Sequence, residues 1–310
     1  MRNSDGIHVH LDELIALRLR ARRLARPERR VGGSRAATHA SRFRGRGIDY
    51  VESRGYQPGD DIRQMDWRVT ARTGRPHTKL FQEEREQSIL LLVDANPSLR
   101  FGTRVRFKSV QLARAAALVA WAAVMGGDRI GALAFGPGLD GEVRPGGGPR
   151  SALRVLRSLV EWDAIAAAGG PSVPLSHALE RAHRLARPGS RVILLTDGFC
   201  ADAAAEAPLS MLAAHCDVAA LLLSDPLERA APPPGRYALA SESGRVVLDF
   251  AAARTRARWP EVFAERRRAL VAMLKRRGLA WTELDTAAEP EPELARVLGL
   301  DRRLRARAPA

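Results

Sequence analysis

Ser88-Ile-Leu-Leu-Leu-Val-Asp94-Ala-Asn96-Pro-Ser98 is the stretch on which the fold turns. Its apolar run is too short for a core helix and does not alternate with polar residues, which is how a strand buried on both faces of a parallel sheet reads. Similar runs follow at Arg129–Phe135, Arg191–Thr196 and Asp217–Leu223, with a final one at 279–284. Between them lie helical stretches at about 105–125, 149–160, 175–185, 203–214 and 254–277. Strands separated by helices of this length predict right-handed βαβ units covered on both faces. The expected class is therefore α/β, a Rossmann-type, doubly wound and mainly parallel sheet. The 105–125 helix is expected to turn Leu112, Ala116, Val119 and Ala123 to the sheet.

Outward from this core, the 310-residue length suits one sizeable domain with a smaller companion. A composition of 45% hydrophobic and 27% charged residues is that of an ordinary globular protein. The longest charge-free helical run, Ala115 to Asp128, falls short of the roughly 20 apolar residues of a bilayer span, so no membrane helix is expected. Met1-Arg-Asn-Ser-Asp-Gly6 has no apolar signal region, and Cys200 and Cys216 are too few for a disulfide framework. Both features point to a reducing cytoplasm.

The net charge of +15 is uneven: residues 1–50 carry +7, residues 251–310 carry +6, and the middle carries +2. Such basic ends, Arg18–Arg35 and Arg254–Arg277, suit either a solvated or docking surface or contact with phosphates. Nucleic-acid binding is thus the alternative function, although only 5% of residues are aromatic and could stack on bases.

The expected organisation has four parts. Residues 1–30 form an N-terminal amphipathic helix with Leu11, Leu14, Ile15, Leu17 and Leu24 on its apolar side. Residues 31–84, with a Tyr56-Gln-Pro-Gly-Asp-Asp61 turn, form a small irregular or β subdomain. Residues 85–285 form the α/β domain, with an insertion at 225–250 that is expected to join the small subdomain. Residues 286–310 form a basic tail whose Arg302–Arg307 stretch is either a docking element or solvated surface.

In open α/β sheets, ligands bind beyond the carboxyl ends of the strands. Asp94, Asn96 and Ser98 follow one strand and Thr196-Asp197-Gly198 follows another, while Ser172 or Ser176 precedes the 175–185 helix. Carboxylate, amide and hydroxyl oxygens are the ligands that Mg2+ takes, with water completing the shell. The same residue types at strand-to-helix junctions also cap helices, so metal site and cap set both remain open.

Asp-x-Asn-x-Ser with a distal Ser and Asp-Gly resembles the metal-ion-dependent adhesion site of von Willebrand factor A domains, usually Asp-x-Ser-x-Ser. Asn96 stands where the first Ser is usual. Upstream, Ser41-Arg-Phe-Arg-Gly-Arg-Gly-Ile-Asp-Tyr50, Arg54-Gly-Tyr-Gln-Pro-Gly-Asp-Asp-Ile-Arg63 and Met65-Asp-Trp-Arg-Val-Thr-Ala-Arg72 are similar to the signature of the bacterial domain-of-unknown-function 58 family. The resemblance implies a von Willebrand A-like domain, with Mg2+ on Asp94, Asn96, Ser98, Ser172 and Asp197. It also implies a MoxR-type AAA+ ATPase as partner, with this chain an adaptor toward an unknown client protein. Within the signature, Arg54, Tyr56, Asp60, Asp61, Arg63, Asp66, Trp67 and Arg72 suit either a partner surface or an ion-pair network that Tyr56 and Trp67 anchor.

Enzyme signatures are absent from the sequence. Lys79, Lys108 and Lys275 are the only lysines and none sits in a Gly-x-x-x-x-Gly-Lys-Ser/Thr loop. Neither His-Glu-x-x-His nor Gly-x-Ser-x-Gly occurs, the cysteines are not paired, and the seven histidines are scattered. A non-enzymatic interaction protein is the resulting expectation.

Overall fold

The computed structural model describes residues 5–25, 48–83, 86–241 and 244–300. Two compact units result, one from residues 1–29 with 87–310 and one from residues 30–86. In the larger unit the chain opens with two short helices, α1 (Leu11–Ala16) and α2 (Arg18–Ala21). The single amphipathic helix expected here is broken at Leu17, and Ile15 is exposed rather than inward. Leu14, Leu17, Ala21 and Leu24 keep the helical stripe and are buried, and the Trp121 indole N–H donates to the Leu14 carbonyl at 3.1 Å.

The smaller unit pairs β1 (Ile48–Gly55) antiparallel with β2 (His77–Glu83) around helix α3 (Trp67–Thr73). The helix was not expected from sequence. Asp66 starts it by accepting from the Val69 N–H at 3.1 Å, and Gly74 ends it in the left-handed conformation.

The rest of the larger unit follows the alternation read from sequence. Its elements are β3 (Ser88–Asp94), α4 (Lys108–Met125), β4 (Arg129–Phe135), β5 (Glu142–Gly146), α5 (Pro149–Ala166), α6 (Leu175–Leu185), β6 (Arg191–Thr196), α7 (Glu206–His215) and β7 (Asp217–Ser224). Then come α8 (Pro226–Arg229), β8 (Arg236–Ser241), β9 (Gly244–Asp249), α9 (Ala253–Arg276), β10 (Ala280–Asp285) and α10 (Glu291–Val297). The six-stranded sheet has the order β10-β7-β6-β3-β4-β5. Its neighbours are parallel except β5, which runs antiparallel at the edge. β5 was not legible in sequence because Glu-Val-Arg-Pro-Gly carries a Pro and a Gly, which only an edge tolerates.

Strand alternation divides the core in two. Ile89, Leu91 and Val93 face α1, α2, α4, α5 and α10, whereas Leu90 and Leu92 face α6, α7 and α9. Full burial of each such side chain contributes about 1.5–3 kcal/mol. Leu112, Ala116, Val119 and Ala123 are buried as expected, but α4 is buried nearly all round because α2, α5 and α10 also pack on it. Alanine at most of its turns permits this close packing.

Two boundary expectations change. Residues 286–300 are no tail: Thr286 is buried, and Leu294, Val297 and Leu298 join the core through α10. Arg302–Arg307 lies outside the described residues. The β8–β9 hairpin belongs to the larger unit rather than to the small one, with Phe250 buried below it against Tyr237 and Trp259. No helix among the described residues is long and apolar enough to cross a membrane.

Candidate functional site

β3 and β6 are adjacent, and from them the chain winds outward in opposite directions. Their carboxyl ends therefore form the switch point at which doubly wound sheets bind ligands. Asp94 closes β3, Thr196 closes β6 and Asp197 follows it; all three are buried.

Asp94 is hydrogen-bonded on both oxygens. Oδ1 accepts from the Asn96 backbone N–H at 2.9 Å and the Asn96 amide at 2.8 Å. Oδ2 accepts from the Thr196 hydroxyl at 2.6 Å and lies 3.3 Å from Cys200 Sγ. Burial, reinforced by the nearby Asp197 charge, pushes the Asp94 carboxyl up to about 6 despite these donors. The Cys200 thiol, buried beside the same carboxylates, is raised well above its usual range. Asn96 clamps the neighbouring loop: its Oδ1 accepts from the Val173 N–H at 2.7 Å and its Nδ2 donates to the Val173 carbonyl at 3.1 Å.

The Asp197 carboxylate faces a lysine. Lys108, in the first turn of α4, is fully buried, and its Nζ donates to Asp197 Oδ2 and Glu228 Oε1 at 2.7 Å each. Phe199 lies beneath the ammonium, 4.7 Å from Nζ to the ring centre, with Phe101 at 5.8 Å. Burial opposes this charge, but the two carboxylates outweigh it and the lysine pKa is raised. Glu228 also accepts from buried Arg267 of α9 at 3.1 Å. Gly198 turns the chain at φ 81°, where a Cβ would stand 3.3 Å from Arg267 Cγ.

A third strand end completes the arrangement. Asp225, beyond β7, caps α8 and accepts from the Thr103 hydroxyl at 2.6 Å and the Thr286 hydroxyl at 2.7 Å. Glu228 answers in the capping box by accepting from the Asp225 N–H at 3.3 Å. One buried polar cluster thus joins the ends of β6, β7 and β10, and a second, around Asp94 and Thr196, joins the ends of β3 and β6.

The residues present do not fit the Mg2+ site that the sequence resemblance implies. Mg2+ wants about six oxygens at about 2.1 Å. Here both Asp94 oxygens accept hydrogen bonds, the Asn96 carbonyl oxygen is held by Val173, and Asp197 is paired with an ammonium. Ser98 is half-buried and Ser172 is exposed, and among the described residues neither hydroxyl makes a hydrogen bond. Ser176 offers only its backbone N–H, to Asp202 at 3.0 Å. Among the described residues, no group of three or more His, Cys, Asp or Glu side chains is arranged to hold a metal ion.

Sequence reading missed Lys108, Glu228 and Arg267. A signal existed for the first, since only three of the 50 Lys and Arg residues are lysine and this one follows the Asp94 loop. Glu228 and Arg267 had none, as neither has a distinctive neighbourhood.

The smaller unit holds the other expected residues. Arg54 pairs with Asp60 at 2.7 Å, and Asp60 also accepts from the Gln57 N–H at 2.9 Å. Those two contacts, the backbone one first, hold the Asp60 carboxyl below its usual range. Gly59, at φ 106°, closes the turn. Asp61 accepts from the Arg63 N–H at 2.9 Å. Asp66 is buried as the cap of α3 and receives the Ser53 hydroxyl at 2.5 Å, which lowers its pKa. The expected network is smaller than foreseen: Arg63 and Arg72 are exposed and have no carboxylate partner among the described residues. Tyr56 is half-buried, but Trp67 is 65% exposed and anchors nothing, because α3 points it outward.

The basic stretches are partly neutralised. Arg20 pairs with Glu289 and Glu291, and Arg276 and Arg277 pair with Glu206. Residues 26–35 lie outside the described set.

Strand order, the antiparallel edge and the helices on both faces define a doubly wound, Rossmann-type α/β domain. The chain belongs to the family described as "Protein of unknown function DUF58", whose model matches residues 52–269. Uncharacterized proteins of Mycobacterium tuberculosis and Mycobacterium bovis are each 31% identical to it over 223 residues, 72% of this chain and 69% of theirs. Among solved structures it is similar to BatB of Bacteroides thetaiotaomicron, with TM-score 0.48 and 15% identity over 71% of this chain and 99% of that one. It is also similar to an aerotolerance-related membrane protein of Bacteroides fragilis, with TM-score 0.46 and 14% identity over 69% of this chain and 100% of that one.

Proposed function

We propose that this protein is a non-enzymatic interaction module of the cytoplasm that works with a MoxR-type AAA+ ATPase in the assembly or maturation of a protein complex. The ATPase partner is what the family resemblance implies, and the observation that carries the non-enzymatic part of this reading is the switch point itself. Where an α/β enzyme keeps reactive groups open to substrate, the groups here are buried and bonded to one another. Lys108, Asp197, Glu228 and Arg267 satisfy each other, and Asp94 is enclosed by Asn96, Thr196 and Cys200. A rigid polar network of this kind shapes the loops around it without offering a nucleophile and base to a reactant. What remains outward is a set of loops, and loops on a rigid scaffold are where partners bind.

The test is affinity capture of the full chain from native lysate of its own organism, in buffers with and without EDTA and with nuclease-treated controls. Recovery of a MoxR-type ATPase, identified by mass spectrometry and retained in EDTA, is the expected result. Recovery of nucleic acid in place of that ATPase, lost as salt rises, overturns the reading in favour of the phosphate-binding alternative.

A further inference from the structure

The cation position of this switch point is filled from within the chain. We propose that Lys108 is a tethered cation: its ammonium supplies, between Asp197 and Glu228, the positive charge that a divalent ion would otherwise bring, so the strand ends are assembled without metal. This concerns the site alone and stands or falls independently of any ATPase partner.

Geometry carries the argument. An ammonium has three N–H donors and no acceptor. Two of them reach Asp197 Oδ2 and Glu228 Oε1 at 2.7 Å, hydrogen-bond lengths. The remaining space beside Nζ is walled by Phe199 and Phe101, whose ring faces suit a cation but give a hard metal no oxygen. Both carboxylates are fully buried, so each requires a counter-charge inside the fold. Arg267 serves the other oxygen of Glu228, leaving Asp197 with Lys108 as its only cationic partner among the described residues.

Residue type agrees with this placement. The chain uses arginine almost everywhere, yet the buried position has a lysine. A compact ammonium on a flexible stem fits between two carboxylates over a ring, where a planar five-donor guanidinium would leave N–H groups unpaired. Lys108 also joins elements, because it leaves α4 to reach the loop after β6 and the helix α8 after β7. Asp94, which a metal would have shared with Asp197, is instead satisfied by hydroxyl, amide and thiol donors.

Thermal unfolding of the full-length protein and Mn2+ titration followed by electron paramagnetic resonance test the proposal. For the natural chain the expected result is a melting temperature that does not change between EDTA and millimolar Mg2+, with no stoichiometric Mn2+ binding. Lys108→Met, which fills the space without charge, should melt lower by roughly 6–20 °C, the scale of breaking a buried ion pair in a domain of this size. Lys108→Ala should melt lower as well and recover part of the loss, saturably, in propylammonium, which Lys108→Met should not do. A saturable, EDTA-reversible rise of the natural protein's melting temperature with Mg2+, or stoichiometric Mn2+ binding, overturns the proposal. So does a Lys108→Met protein as stable as the natural one. Should either variant fail to fold, the metal measurements on the natural chain still decide.

Discussion

Asp94→Asn exchanges one buried oxygen for an amide at the end of β3 and removes a titrating group from the switch point. The surroundings can accept the change. The new amide would face Thr196 Oγ1 and Cys200 Sγ, and the Thr196 hydroxyl could turn its proton to the sulfur, 3.7 Å away. In the natural protein the carboxyl titrates at about 6, against 3.8 for an ordinary Asp. Between those values the folded state holds a proton that the unfolded state has lost, so stability falls as pH rises through the window and the cost is complete above it. A shift of that size corresponds to about 3 kcal/mol, of which about 2–3 kcal/mol develops between pH 4 and 8. The variant lacks this slope. Its melting temperature should therefore gain on the natural protein by roughly 4–12 °C as pH rises from 4 to 8. Urea or thermal unfolding of both proteins across that range gives the difference curve. A flat curve, or one in which the natural protein gains as pH rises, would mean that Asp94 is held ionised by a cation and would refute the reasoning.

Asn96→Ala should cost about 1–3 kcal/mol, because it strips Asp94 of one donor and releases the Val173 backbone, and proteolysis near residue 173 should quicken. Ser98→Ala and Ser172→Ala should each stay within about 0.5 kcal/mol of the natural protein in chemical unfolding, since neither hydroxyl is bonded; a loss above 2 kcal/mol would restore them to the site. Gly141→Ala should destabilise by about 1–3 kcal/mol by overpacking, because its Cβ would be built inside the Trp162 indole; a neutral result would place that ring elsewhere.

The switch-point loops also show how far sequence can be read. Ser88–Asp94, Arg129–Phe135, Arg191–Thr196 and Leu175–Leu185 were legible to the residue, because a buried parallel strand and an amphipathic helix both write their burial into local hydropathy. β5 and α10 were not, since an edge strand with Pro145 and a helix within an acidic, Pro-containing segment take their stability from what they pack on.

By itself, then, the sequence determined the class of fold, its family and the place where polar residues gather, because each depends on short-range periodicity or on a contiguous motif. Which groups surround Asp94, Asn96 and Asp197 was a question only tertiary structure could decide. The Lys108 ammonium meets the Asp197 carboxylate 89 residues further along the chain and the Glu228 carboxylate 120 residues further. Charge compensation inside a protein acts through distances of a few ångströms in a medium of low polarity. No spacing in the chain records those distances.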